Sequence, residues 1–170
     1  MRPSPTVRMT ERPLILALAL LASAAGCKGA PDRGAPMIGQ PAPALSLPTL
    51  DHRRFHLNDL RGMGVALLFW NTTCKACKRQ MLDLAPLARQ PRVVVVNVCT
   101  DPQNLDAVHR MVRGIKPRQA TLLDRGGQAA RVFGVRAYPT TVLVAPSGTI
   151  ALVQEGRHAD LSRRLLRALD

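Results

Sequence analysis

The chain has 170 residues, 46% of them hydrophobic, enough for one ordinary core and hence one globular domain. Its net charge of +13, mostly arginine, describes a solvated basic surface, with attraction to anionic lipid headgroups or acidic protein partners as the sharper reading. No basic, aromatic-studded strand or helix stands out, which argues against nucleic acid as a partner.

Residues 1–26 read as an export signal. Arg2, Arg8 and Arg12 form a positive region, and Leu14 to Leu21 is an apolar stretch well short of the ~20 residues that span a bilayer. Ala24-Ala25-Gly26-Cys27 resembles a bacterial lipobox, which would make Cys27 the lipidated first residue of the mature chain. Ala22-Ser23-Ala24 offers ordinary cleavage, and thus plain secretion, as the competing reading. Cys27 to Pro43 is rich in Gly, Pro and Ala and reads as a lipidated cysteine with a flexible tether of roughly 20 Å reach. The expected location is the bacterial cell envelope, facing the periplasm, with residues 44–170 as the folded domain.

Ala44–Leu47 and Arg54–Leu57 predict an N-terminal β-hairpin around a turn at Leu50-Asp51-His52, followed by a loop at Asn58–Gly62. Val65–Trp70 is an apolar run that reads as a buried strand. A helix begins at Cys74, with Cys77, Met81, Leu84 and Ala88 on one face and Pro86 as a kink. Val93–Val98 suits a parallel strand buried on both faces. Asp101-Pro102 predicts the cap of a helix with Leu105, Val108, Val112 and Ile115 inward. Ala120–Leu123 is a short strand, and a short helix follows through Phe133. The segment Ala137–Val144, a turn at Pro146-Ser147-Gly148 and Ile150–Val153 give an antiparallel edge pair. A last helix carries Leu161, Leu165 and Leu169 inward and Arg163, Arg164 and Arg167 outward. The order predicts an α/β fold with a sheet of mixed direction.

The chemistry gathers at Cys74-Lys75-Ala76-Cys77, between a strand and a helix, where C-x-x-C reads as a redox pair. At a helix N-terminus, unpaired N–H groups and the macrodipole favour a Cys74 thiolate. Cys77, one turn later, can reach back and close a disulfide with it. An ordinary disulfide staple is the bland reading. A zinc half-site lacks a second cysteine or histidine pair at ligand spacing.

Ile38-Gly39-Gln40-Pro41-Ala42-Pro43, the hairpin, Phe69-Trp70 before Cys74-x-x-Cys77, and Tyr138-Pro139-Thr140 together resemble the thioredoxin fold. More narrowly they resemble the membrane-tethered TlpA/ResA-like thiol-disulfide oxidoreductases of bacteria, of the AhpC/TSA-redoxin type. The resemblance implies a thioredoxin-like fold, a central mixed sheet flanked by helices with an N-terminal β-hairpin. It implies Cys74 as nucleophile and Cys77 as resolving thiol. It also implies a cis Pro139 that shapes, with Tyr138, a groove for substrate peptide. Lys75, beside the nucleophile, is assigned to tuning its pKa. No cofactor and no metal is implied. The implied partners are exported proteins carrying disulfides or dithiols and a membrane redox partner, with the chain a monomer. Cytochrome c apoproteins are the commonest client class of such proteins, and general disulfide reduction or oxidation is equally compatible.

The chain departs from that pattern at several positions. Thr73 stands where a tryptophan commonly precedes the first cysteine, Gln80 where cytochrome-maturation members often carry glutamate, and Leu68 where thioredoxin has a buried aspartate. Leu82 replaces a common proline. Cys99 reads as a small buried hydrophobe or a third thiol, and the four scattered histidines, His52, His56, His109 and His158, as surface or loop residues. Two other readings remain. A peroxiredoxin needs threonine three residues and proline seven residues before its nucleophile, where this chain has Asn71 and Leu67. A copper-delivery chaperone of the Sco type wants C-x-x-x-C and a histidine ligand, and the spacing here is one short.

Overall fold

In the computed structural model, which describes residues 38–114 and 119–169, the first elements are the hairpin strands β1 (Ser46–Pro48) and β2 (Arg54–His56). Thr49 closes their turn: its amide donates to Arg53 O at 2.8 Å, and its hydroxyl oxygen accepts from the Arg53 amide at 2.8 Å. Leu57 leaves the strand and opens a 3-10 turn, Leu57–Leu60, where the sequence suggested strand and then loop. The central strand is β3 (Gly64–Trp70), every residue of which is buried. Helix α1 (Lys75–Asp83) follows it directly.

Strand β4 (Val93–Cys99) runs parallel to β3 and leads into α2 (Leu105–Val112). Strand β5 (Gln119–Leu123) is parallel to β4, and a short helix α3 (Gln128–Val132) returns the chain to β6 (Thr140–Val144). Strand β6 lies antiparallel to β3, β7 (Ile150–Glu155) antiparallel to β6, and α4 (Leu161–Arg167) comes last. The sheet order is β5-β4-β3-β6-β7. Mixed sheet, flanking helices and N-terminal hairpin are those expected from the sequence.

The alternation of β3 explains why its sequence is apolar throughout. Ala66, Leu68 and Trp70 enter one core with Cys77, Met81 and Leu84 of the α1 segment, Val108 of α2 and Leu161 and Leu165 of α4. Val65, Leu67 and Phe69 enter the other, with Ala129, Ala130, Phe133 and the hairpin-side Leu45 and Leu57. Phe69 and Phe133 stack at a tilt, with ring centroids 5.4 Å apart. Each fully buried Leu or Phe contributes about 1.5–3 kcal/mol, so β3 anchors both layers and holds its own C-terminal end in place.

Three local expectations are corrected. Pro86 does not kink a long helix: α1 ends at Asp83, and Pro86 begins a separate 3-10 turn, Leu87–Arg89, because proline has no amide to donate back into the helix. Asp101 does not cap α2. Asn104 does, its side chain accepting from the Ala107 amide at 3.0 Å, which leaves Asp101 free for another task. Composition placed Gly39–Ala42 in the tether, yet these residues are bonded to the β6–β7 turn. The Gly39 amide donates to Ile150 O, the Ile150 amide to Gln40 O and the Ala42 amide to Gly148 O, at 2.8, 2.8 and 2.9 Å. At Gly148, φ is +85°, a turn conformation that only glycine adopts without strain.

The export signal, Cys27, most of the tether and Ile115 lie outside the described residues. Among the described residues no helix is long and apolar enough to cross a membrane.

Candidate active site

Strand β3 delivers the chain to the site. After Trp70 the backbone turns through Asn71-Thr72-Thr73, and Cys74 becomes the N-cap of α1 with φ −80° and ψ 97°. Its Sγ accepts from the Cys77 amide at 3.1 Å, the side-chain cap that a serine or aspartate usually supplies. Cys74 and Cys77 are joined as a disulfide, Cα atoms 5.3 Å apart. Cys77 is wholly buried and Cys74 is half-buried, so an incoming group meets Cys74 first.

Asp101, from the loop after β4, holds the turn. Its carboxylate accepts from the Thr72 amide at 2.9 Å and from the Thr72 hydroxyl at 2.6 Å. The thiol of Cys99 also donates to it at 3.4 Å. Cys99 is fully buried, and loss of solvent pushes its pKa up to about 12. It stands as a protonated, enclosed thiol, matching the small buried hydrophobe of the sequence reading.

The β3–β6 register pairs Phe69 with Thr140, which sets Pro139 level with Trp70 at the mouth of the site. The Tyr138–Pro139 peptide is cis. The Tyr138 hydroxyl is hydrogen-bonded to the Thr100 hydroxyl at 2.9 Å, and Thr100 Oγ1 also donates to Trp70 O at 3.2 Å. Lys75 and Lys78 are exposed on the first turn of α1. The fold thus brings Cys74, Cys77, Lys75, Tyr138 and Pro139 to one end of the sheet.

Gln80 is fully buried, and both ends of its amide are engaged by the backbone of His158. The His158 amide donates to Oε1 at 2.7 Å, and Nε2 donates to His158 O at 3.2 Å. Gln80 therefore fastens α1 to the segment before α4. Leu68 shares a core with Cys77, and its sheet neighbours in register are Asn97 and Thr141, so the polar groups of that row are uncharged. A fully buried carboxylate, Asp124, accepts from the Ala129 and Ala130 amides at 3.0 and 2.9 Å and serves the start of α3. Among the described residues no group of three or more His, Cys, Asp or Glu side chains could hold a metal ion.

Residues 38–153 match the sequence profile of the AhpC/TSA family. The chain belongs to the AhpC/TSA family. Within that family it is similar to the thiol-disulfide oxidoreductase ResA of Geobacillus thermodenitrificans, 30% identical over 146 residues that cover 84% of this chain and 83% of that protein. It is 29% identical to the ResA of Bacillus thuringiensis over 116 residues, 66% of each chain, so it spans just under two thirds of that relative's length. Among solved structures it resembles a Chlorobium tepidum protein assigned as thiol:disulfide interchange protein DsbE. That match has a TM-score of 0.69 and 28% identity, covering 80% of this chain and all of the other. The fold is thioredoxin-like, and the paired cysteines stand at the head of its first long helix.

Asp101, Thr72 and Thr100 were not identified from the sequence. Asp101-Pro102 carried a helix-start signal that hid the aspartate's reach across to the turn before Cys74.

Proposed function

We propose that this chain is an exported thiol–disulfide oxidoreductase that exchanges disulfides with other exported proteins through Cys74 and Cys77. The observation that carries the reading is a closed C-x-x-C disulfide at a helix N-terminus with only its first sulfur accessible. In the reduced chain the Cys74 thiolate attacks one sulfur of a partner disulfide, giving a mixed disulfide and releasing the partner's other sulfur as a thiolate. Cys77 then attacks Cys74 Sγ, closes the Cys74–Cys77 disulfide and frees the partner. Two electrons pass from this chain to the partner, and the reverse sequence oxidises a partner dithiol.

The Cys77 amide pointing at Cys74 Sγ, together with the helix N-terminus, favours the thiolate. Lys75 adds positive charge beside it. The backbone at Tyr138 and Pro139 lines the opposite flank and receives the client's extended segment. Gln80 is a clamp without a proton to transfer, and Leu68 is apolar, so proton delivery to Cys77 does not use a carboxylate at either place. Client proteins are exported polypeptides with accessible disulfides, apocytochromes c among them, and a membrane redox partner restores the thiols. The chain is a lipid-anchored protein of the bacterial cell envelope, held through Cys27 with the folded domain on the periplasmic side.

A Cys77→Ser variant cannot resolve the mixed disulfide. It is expected to accumulate covalent complexes with exported proteins that dithiothreitol releases, whereas Cys74→Ser forms none. Equal trapping by both variants, or by neither, would refute the assignment of Cys74 as nucleophile.

A further inference from the structure

Beside Cys74 lies a groove of about 440 Å³ between the first turn of α1 and helix α2, which the thiol chemistry does not use. Thr72 and Thr73 line one end, Lys75 and Lys78 one wall, and Arg110 and Met111 the other. Three cations from two separate elements face one concave space. None of them makes an ion pair among the described residues, where the pairs formed are Arg53–Asp51 and Arg157–Asp83. The nearby carboxylates are otherwise engaged or placed, Asp83 being paired with Arg157. Asp101 is turned to Thr72 and Cys99, and Asp106, exposed on α2, does not line the groove.

We propose that this groove binds an acidic segment of the client polypeptide next to the cysteine that Cys74 attacks. The proposal rests on the reading of Cys74 as nucleophile and adds a substrate class to it. Thr73 and Lys75 are immediate chain neighbours of Cys74 and Thr72 is one residue further, so a segment seated on them has its cysteine in reach. Strands β4 and β6 flank β3 on opposite sides; α2 follows the first, and Pro139 precedes the second. A client strand that meets Pro139 and crosses Cys74 therefore runs out into the basic groove. Met111 and the methylene stems of the two lysines give the segment an apolar wall, while the charged heads stay at the rim. Carboxylates in such a cleft interact more strongly than on open surface, and the chain's overall positive charge steers them there.

The test is a set of peptides, each with one intramolecular disulfide and a flanking run of glutamate, glutamine or lysine. They are reduced by dithiothreitol-treated, desalted protein, each turnover moving two electrons and two protons from Cys74 and Cys77 to the peptide. At low ionic strength the glutamate peptide is expected to react about tenfold faster than the lysine peptide, with the ratio shrinking as salt shortens the screening length. Lys78→Gln combined with Arg110→Gln should bring the ratio close to one. Effects of the substitutions on Cys74 itself are common to all peptides and cancel in that ratio. Arg163→Gln, on α4, should keep the wild-type ratio. Equal rates for all peptides would overturn this proposal while leaving the oxidoreductase reading intact, whereas no reduction of any peptide would overturn that reading as well. Equal peptide rates together with binding to phosphatidylglycerol vesicles that the Lys78/Arg110 variant loses would assign the groove to a membrane surface instead.

Discussion

Asp101 contributes to the site without touching a sulfur that reacts. It fixes Thr72 by amide and hydroxyl, and Thr72 lies two residues before Cys74. Asp101→Ala leaves a partly buried amide without its acceptor, which costs about 1–2 kcal/mol. A denaturation midpoint lowered by that amount, and slower reduction of a model disulfide, are expected. Asp101→Asn keeps one carbonyl acceptor and should recover part of both. Cys99 gives a pH dependence of defined sign. Burial raises its folded pKa to about 12, whereas the unfolded thiol ionises near ~8.5. Below the lower value both states hold the proton and the contribution to stability is complete. Above it only the unfolded chain releases the proton, so stability falls as pH rises toward 12. Unfolding followed at rising alkaline pH should show this slope in wild type and not in Cys99→Ala. Cys74, Cys77 and Pro139 were legible as residues because each sits in a local pattern: strand, turn, helix, or a proline opening a strand. The Asp101–Thr72 bond spans separate segments, and no local pattern encodes it.

Helix α1 carries the active-site pair at its N-terminus and is tied down at its other end. Gln80 binds both backbone groups of His158, Arg157 pairs with Asp83 at 2.8 Å, and the Ser162 hydroxyl donates to Asp83 O. The Arg157–Asp83 pair is partly exposed and contributes little; the buried amide is the stronger tie. Gln80→Ala is expected to lower stability by about 2 kcal/mol, since it strands two backbone groups. The thiolate titration of Cys74, measured by absorbance in a Cys77→Ser background, should stay where it was. A large shift in that titration would mean that Gln80 acts on the sulfurs and not on the helix. At this scale, the sequence pattern located the strands and α-helices of the described residues, but it missed both 3-10 turns and many of the ends. Pro86 and Asn104 each decided an end through one backbone donor, a finer signal than a hydrophobic pattern carries.

For the whole molecule, the proposed anchor and the net charge of +13 would act in the same direction, since an acylated Cys27 and a basic exterior would both favour an anionic membrane. The wild-type chain is expected in the membrane fraction with lipid mass on its N-terminal peptide, and Cys27→Ser in the soluble periplasmic fraction. An unmodified wild-type peptide with unchanged partition would refute the anchor. The mixed sheet was legible from the order of elements. What covers its margins was not, because those contacts join segments far apart in sequence and composition described Gly39–Ala42 only as pliable. These residues pair with the β6–β7 turn and the first residue of β7, while Thr49 bridges to Leu122 and the Leu50 amide donates to Thr121 O along β5. A bare sheet margin is a template onto which a strand from another molecule can add. The mixed disulfide proposed at Cys74 would hold incompletely folded clients, with such strands, at this surface. The first folded residues pin the start of β7 and the middle of β5, which shortens the free edge on both sides, so that a client held at Cys74, as proposed, meets less open strand onto which to add.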